Sequence, residues 1–116
     1  MMTREPHIFE IHESQTEGWL RLSLTGDLDL GSTPLFEDRL TRLRIRKRPV
    51  KLDLSHLDFI DSTGLRSLIR TVGEARLKRW ELQIERELSP EVERLFRLVH
   101  IEHLVFDGDA AKPPAE

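Results

Sequence analysis

"VKLDLSHLDFIDSTGLRSLIR", Val50 to Arg70, contains the change of period that decides the fold. Val50, Leu52 and Leu54 alternate with Lys51 and Asp53, the two-residue repeat of a strand with one apolar face. From Leu65 onward the apolar residues recur at Leu65, Leu68, Ile69 and Val72, which is helical spacing. Between the two patterns stand Asp61, Ser62, Thr63 and Gly64. One of these would be enough to cap a helix starting near Ser62. Two adjacent hydroxyls, with a carboxylate before them and a glycine after, call for a further reason.

The same strand-to-helix unit repeats on both sides. "HIFEIHE" (7–13) and "WLRLSLTG" (19–26) alternate as strands, joined by a polar hairpin loop from Ser14 to Gly18. "GDLDLGSTP" (26–34) reads as a loop ending in Thr33 as helix cap and Pro34 as first helical residue. Phe36, Leu40 and Leu43 follow at helical spacing until Pro49 ends the segment. The second helix runs from about Ser62 to Lys78, and "WELQIE" (80–85) is a fourth strand with Trp80, Leu82 and Ile84 on one face. "SPEVERLFRLV" (89–99) has Ser89 as cap, Pro90 next, and Val92, Leu95, Phe96 and Val99 as its apolar face. "LVF" (104–106) reads as a fifth strand and 107–116 as a disordered tail.

The order β-β-α-β-α-β-α-β predicts one α/β domain over residues 1–106. Its sheet is five-stranded, mixed and mostly parallel, with an antiparallel N-terminal strand. Strands two to four alternate, whereas strands covered on both faces read as continuous apolar runs. The helices therefore lie mainly on one face. Right-handed crossovers on one side then require sequential strand order, a βα superhelix. Leu52, Leu54, Leu65, Leu68, Ile69 and Phe96 are expected in the core.

Composition narrows the function. The chain has 116 residues, a net charge of -3, 38% hydrophobic residues and no cysteine, which removes disulfide and thiolate chemistry and agrees with a reducing cytoplasm. No apolar run approaches the ~20 residues of a membrane span, and the N-terminus has no signal-peptide pattern. Neither a nucleic-acid nor a membrane partner is expected. "RLTRLRIRKRPVK", Arg39 to Lys51, carries seven basic residues and no acid. It offers either a patch for an anionic partner or cations that complement a helix C-terminal dipole, and the second reading is preferred. There is no G-x-S-x-G, no metal-binding histidine spacing and no phosphate-binding glycine loop, so no metal or cofactor is expected.

In a parallel sheet, the loops after strands two and three emerge together at the carboxyl edge, where α/β folds usually place function. They bring Asp27, Asp29, Asp58 and Asp61 towards Ser62 and Thr63. One phosphoryl reading puts the acceptor at Asp53, as in receiver domains, but the acid pair and the lysine that such a site needs are not in place.

"GDLDL", "DFIDSTGL" and "SPEVERLF" together resemble the STAS domains, in particular the anti-sigma factor antagonists, over roughly residues 8–106. The resemblance implies a non-enzymatic bacterial binding domain, taken as a monomer. Ser62 would be its phosphoacceptor, and Asp27, Asp29, Asp58, Asp61, Thr63 and Gly64 would form the partner-binding surface. The implied partners are an anti-sigma factor of the histidine-kinase-like ATPase (serine kinase) type and a serine phosphatase. The alternative is a STAS docking subunit of another signalling or lipid-transport complex. Physically, a hydroxyl at a helix N-terminus can carry a phosphate without unfolding the helix, because free N–H groups there favour an anion.

Overall fold

The computed structural model describes residues 7–106. The elements in chain order are β1 (Glu10–Thr16), β2 (Trp19–Leu28), α1 (Thr33–Ile45), β3 (Val50–Ile60), α2 (Ser62–Leu77), β4 (Leu82–Leu88), α3 (Pro90–Val99) and a short α4 (Glu102–Val105). The four strands lie in the order β1-β2-β3-β4. β1 and β2 are antiparallel, and β2, β3 and β4 are parallel. The sequential order and the antiparallel first strand follow the sequence reading. The turn between β1 and β2 is tighter than read: Glu17 and Gly18 both have positive φ, the backbone of a two-residue type I′ turn.

One element and three strand boundaries differ. The segment read as a fifth strand is helical, which makes the sheet four-stranded. Ile101, Val105 and Phe106 are buried while Leu104 is exposed, so the apolar positions follow an i, i+4 pattern that a three-residue window hides. β2 and β3 run on through residues read as loop, pairing Gly26 with Leu57 and Leu28 with Ile60. Register shifts between Ser23 and Thr25, and between Gly26 and Asp27, break the alternation there and hide the continuing strands. Trp80, read as the start of the fourth strand, precedes β4, and its indole N–H donates to the Arg48 carbonyl at 2.6 Å.

Leu20, Leu22 and Leu24 of β2, Val50, Leu52 and Leu54 of β3, and Leu82 and Ile84 of β4 share one core with Phe36, Leu40, Leu68, Val92 and Phe96 of the helices. Leu65 and Ile69 pack against this core but are only partly buried, less than the periodicity suggested. The opposite face of the sheet is polar. There Arg21 grips Glu85 with Nη2 at 2.9 Å, and the Ser23 hydroxyl donates to Asp53 at 3.0 Å.

The caps explain where the helices begin and end. Ser89 accepts the Val92 N–H at 3.4 Å ahead of Pro90, with Glu91 and Glu93 in the first turn of α3. α3 closes on His100 in the left-handed region, at φ 56°. α1 starts one residue earlier than read, so Ser32 rather than Thr33 occupies the cap position.

Candidate functional site

The loops that leave β2 and β3 meet at the start of α2. Asp61 is the N-cap: its Oδ1 accepts the Gly64 N–H at 2.9 Å. Its other oxygen accepts the Leu30 N–H at 3.2 Å, and its own N–H donates to the Leu28 carbonyl. One carboxylate therefore starts the helix and ties it to the neighbouring loop. Gly64 completes the junction. A Cβ there would lie 2.4 Å from the Leu28 carbonyl oxygen and 2.9 Å from the Leu28 side chain. The helix can sit this close to the end of β2 only because position 64 has no side chain.

The "GDLDL" loop is braced from within. Asp29 Oδ1 accepts the N–H groups of Gly31 and Ser32 at 3.1 and 3.2 Å. The Ser32 hydroxyl donates to the Asp27 carbonyl at 2.7 Å, and the Thr33 hydroxyl donates to the Asp29 carbonyl at 2.7 Å. Gly26 has φ 82°, and a Cβ there would meet the Ile8 carbonyl. These bonds give the loop a fixed shape before any partner arrives.

The residues picked from sequence thus divide into three groups. Asp27 is 2% exposed and Gly64 is buried, so both face inward and shape the loops. Asp29 and Asp61 are partly exposed, with oxygens committed to backbone N–H groups. Ser62 and Asp58 are exposed, and Thr63 is partly so. Ser62 is the first residue of α2, in the turn whose N–H groups are not used within the helix. Asp53 lies inside β3 rather than at its end. Burial pushes its carboxyl pKa up, but the Ser55 hydroxyl and N–H, the Ser23 hydroxyl and nearby His56 outweigh this and hold it below the usual carboxylate range.

Two neighbours were not singled out in the sequence. His7 donates its backbone N–H to Asp27 Oδ2 at 3.1 Å, and its Nδ1 lies 3.5 Å from Asp27 and 3.9 Å from Asp58. Atoms of His7, Asp27 and Asp58 come within 4.8 Å of one another, near enough to share a cation. His7 and Asp27 are 20 residues apart in the chain, so no local spacing betrays the contact. Leu30 is 71% exposed while its N–H is held by Asp61. Its signal in the sequence is "LDL", 28–30, where the alternation runs past the end of β2.

The sequence and the fold resemble proteins already known. Residues 11–106 match the family model described as "Mlab, STAS domain". The Anti-sigma-B factor antagonist of Bacillus subtilis (strain 168) is 24% identical over 91 residues, spanning 78% of this chain and 83% of that protein. The fold is similar to the crystal structure of an anti-sigma factor antagonist from Mycobacterium paratuberculosis, with TM-score 0.71 and 22% identity over 94% of this chain and 97% of that one. It is also similar to the anti-sigma factor antagonist SpoIIAA in its unphosphorylated form, with TM-score 0.61 and 18% identity over 81% and 82% of the two chains. The phosphorylated form of the Bacillus cell fate determinant SpoIIAA gives TM-score 0.60 and 16% identity over 79% and 83%. With its matched region running from β1 through α4 and its two loops joined at the Ser62 turn, the chain belongs to the STAS domain family.

Proposed function

We propose that this protein is an anti-sigma factor antagonist. Unphosphorylated, it binds an anti-sigma factor of the histidine-kinase-like ATPase type through the surface around Ser62. That partner, acting as a serine kinase, phosphorylates Ser62 and thereby weakens the complex, and a serine phosphatase restores it. The protein itself is a binding module and catalyses nothing.

The observation that carries this reading is an exposed Ser62 hydroxyl at the first position of a helix whose N-cap and neighbouring loop are already fixed by Asp61 and Asp29. A phosphate there adds about -1.5 to -2 charge at neutral pH beside free helix N–H groups. The fold tolerates the added group, while an interface built on that spot meets new charge and bulk. Exposed Leu30 supplies an apolar contact next to the switch, and Asp58 supplies a charged one. Asp27 and Gly64 take part by setting the loop shape rather than by touching the partner. The existence of SpoIIAA in phosphorylated and unphosphorylated forms supports a modification switch on this fold.

Incubation with the cognate kinase and ATP, followed by peptide mass spectrometry, tests the assignment. One phosphate on Ser62 is expected. Modification of Thr63 or of an aspartate instead would refute it. The second reading open to a STAS domain is a docking subunit of another signalling or lipid-transport complex. Binding to a component of such a complex, with none to an anti-sigma factor, would favour it.

A further inference from the structure

We propose that the edge of the molecule opposite Ser62 docks on an anionic lipid surface. α1 and α2 both run from the Ser62 edge to this one, and α2 carries the chain about 22 Å from Ser62 to Leu77 at ~1.5 Å per residue. The helix ends are held together there: the Trp80 indole N–H donates to the Arg48 carbonyl, and the Val50 N–H donates to the Glu81 carbonyl at 3.0 Å. The two exit loops therefore form one surface.

That surface is cationic. Residues 42–51 and 76–81 hold nine basic side chains and one acid, Glu81, and the β1–β2 hairpin on the same edge adds the exposed Glu17. Complementing helix dipoles accounts for Arg42, Arg44 and Arg76 in the last turns. It extends to the C-caps Arg46 and Lys78 but does not account for Lys47, Arg48 and Lys51 beyond α1, or for Arg79 beyond α2. Some of these charges are locally engaged: Arg42 meets Asp38 at 3.1 Å, and Lys51 lies over the Trp19 ring at 5.1 Å. Arg46, Lys47, Lys78 and Arg79 are exposed. The Ser62 edge has the opposite sign, with Asp27, Asp29, Asp58 and Asp61 and no lysine or arginine in 26–32 and 55–64. The chain is thus polarised along its helices although its net charge is only -3.

Charge alone would suit any polyanion. The second observation is that the last residue of each helix is an exposed apolar side chain, Ile45 at 70% and Leu77 at 83%. Two exposed apolar tips at one edge, each flanked by cations, suit a layer with anionic headgroups above hydrocarbon. The tips enter the boundary while the arginines and lysines meet the phosphates. The acidic edge then points away from the lipid, which leaves the Ser62 turn open to a protein partner. This departs from the expectation of no membrane partner, because the apolar tips and the second basic loop become one surface only in three dimensions.

Sedimentation of the full chain with vesicles of equimolar phosphatidylglycerol and phosphatidylcholine, and with phosphatidylcholine alone, tests the proposal. Binding is expected only to the anionic vesicles and should fall as salt is raised. Arg46→Gln with Lys47→Gln and Lys78→Gln should weaken it roughly tenfold or more, from three surface cations. Ile45→Ser with Leu77→Ser should weaken it while leaving the salt dependence in place. Circular dichroism of each variant should match the native spectrum, since the substituted residues are exposed. No binding to either vesicle, or binding that all variants retain, would overturn the proposal. So would self-association in light scattering without vesicle binding, which would assign the basic edge to the acidic edge of a second copy.

Discussion

Gly64 and Asp27 show how the site is made at the level of single residues. At Gly64 a methyl group would sit 2.4 Å from a backbone carbonyl, which cannot swing aside as a side chain would. Gly64→Ala should therefore cost about 1–3 kcal/mol in urea denaturation, through overpacking. A native-like midpoint would show that α2 can shift without penalty. Asp27 has become a structural residue through its burial, and Asp27→Ala should leave the His7 N–H without this acceptor and cost about 1–3 kcal/mol. Weaker partner binding by this variant should then come with a lower melting temperature. Asp53 adds a pH dependence. Its folded carboxyl is depressed below its ordinary value, so the stability it contributes is present above about pH 4 and lost as the pH falls through the folded value. Asp53→Asn should flatten that acid limb of the stability curve, and an unchanged limb would assign acid sensitivity to other carboxylates. The sequence made Ser62 and Asp61 legible because a cap is a local device. It did not reveal that Asp27 faces inward, since alternation fails at the register shifts that turn it there.

At the level of elements, packing decides which parts of the pattern matter. Leu68 is fully buried beneath α2, and Leu68→Ala should destabilise the fold by about 2–5 kcal/mol. Leu65 and Ile69, only partly buried on the same helix, should lose less on the same substitution. Equal losses at the three positions in thermal or urea melts would mean that α2 is seated differently. The helices α1, α2 and α3 were legible because each has a run of at least ten residues with turn or cap residues at its start. β3 was legible only to its fifth residue, because the bulge near Ser55 breaks the two-residue repeat. α4 was misread because four residues are too few to display a period, and "LVF" has the composition of a strand.

The whole molecule separates two jobs by distance. The core binds α1–α4 to one face of the sheet, and the loops at the carboxyl edge are stiffened by their own hydrogen bonds. A phosphate at Ser62 should therefore leave the core contacts in place. The strand order was legible from the alternation of strands and helices, because one-sided crossovers leave only one sequence of additions. The end-to-end separation of charge was not, because it depends on which loops share an edge. The measurement that bears most directly on the account is the affinity of the anti-sigma partner for the native protein and for the Ser62-phosphorylated protein, by calorimetric titration. Ser62→Ala should bind like the native chain, and Ser62→Glu should bind more weakly, with part of the phosphate charge. Phosphorylated protein with an unchanged melting temperature and a clearly weaker affinity is the expected result. Equal affinity of the two forms would contradict the switch, whatever the fold.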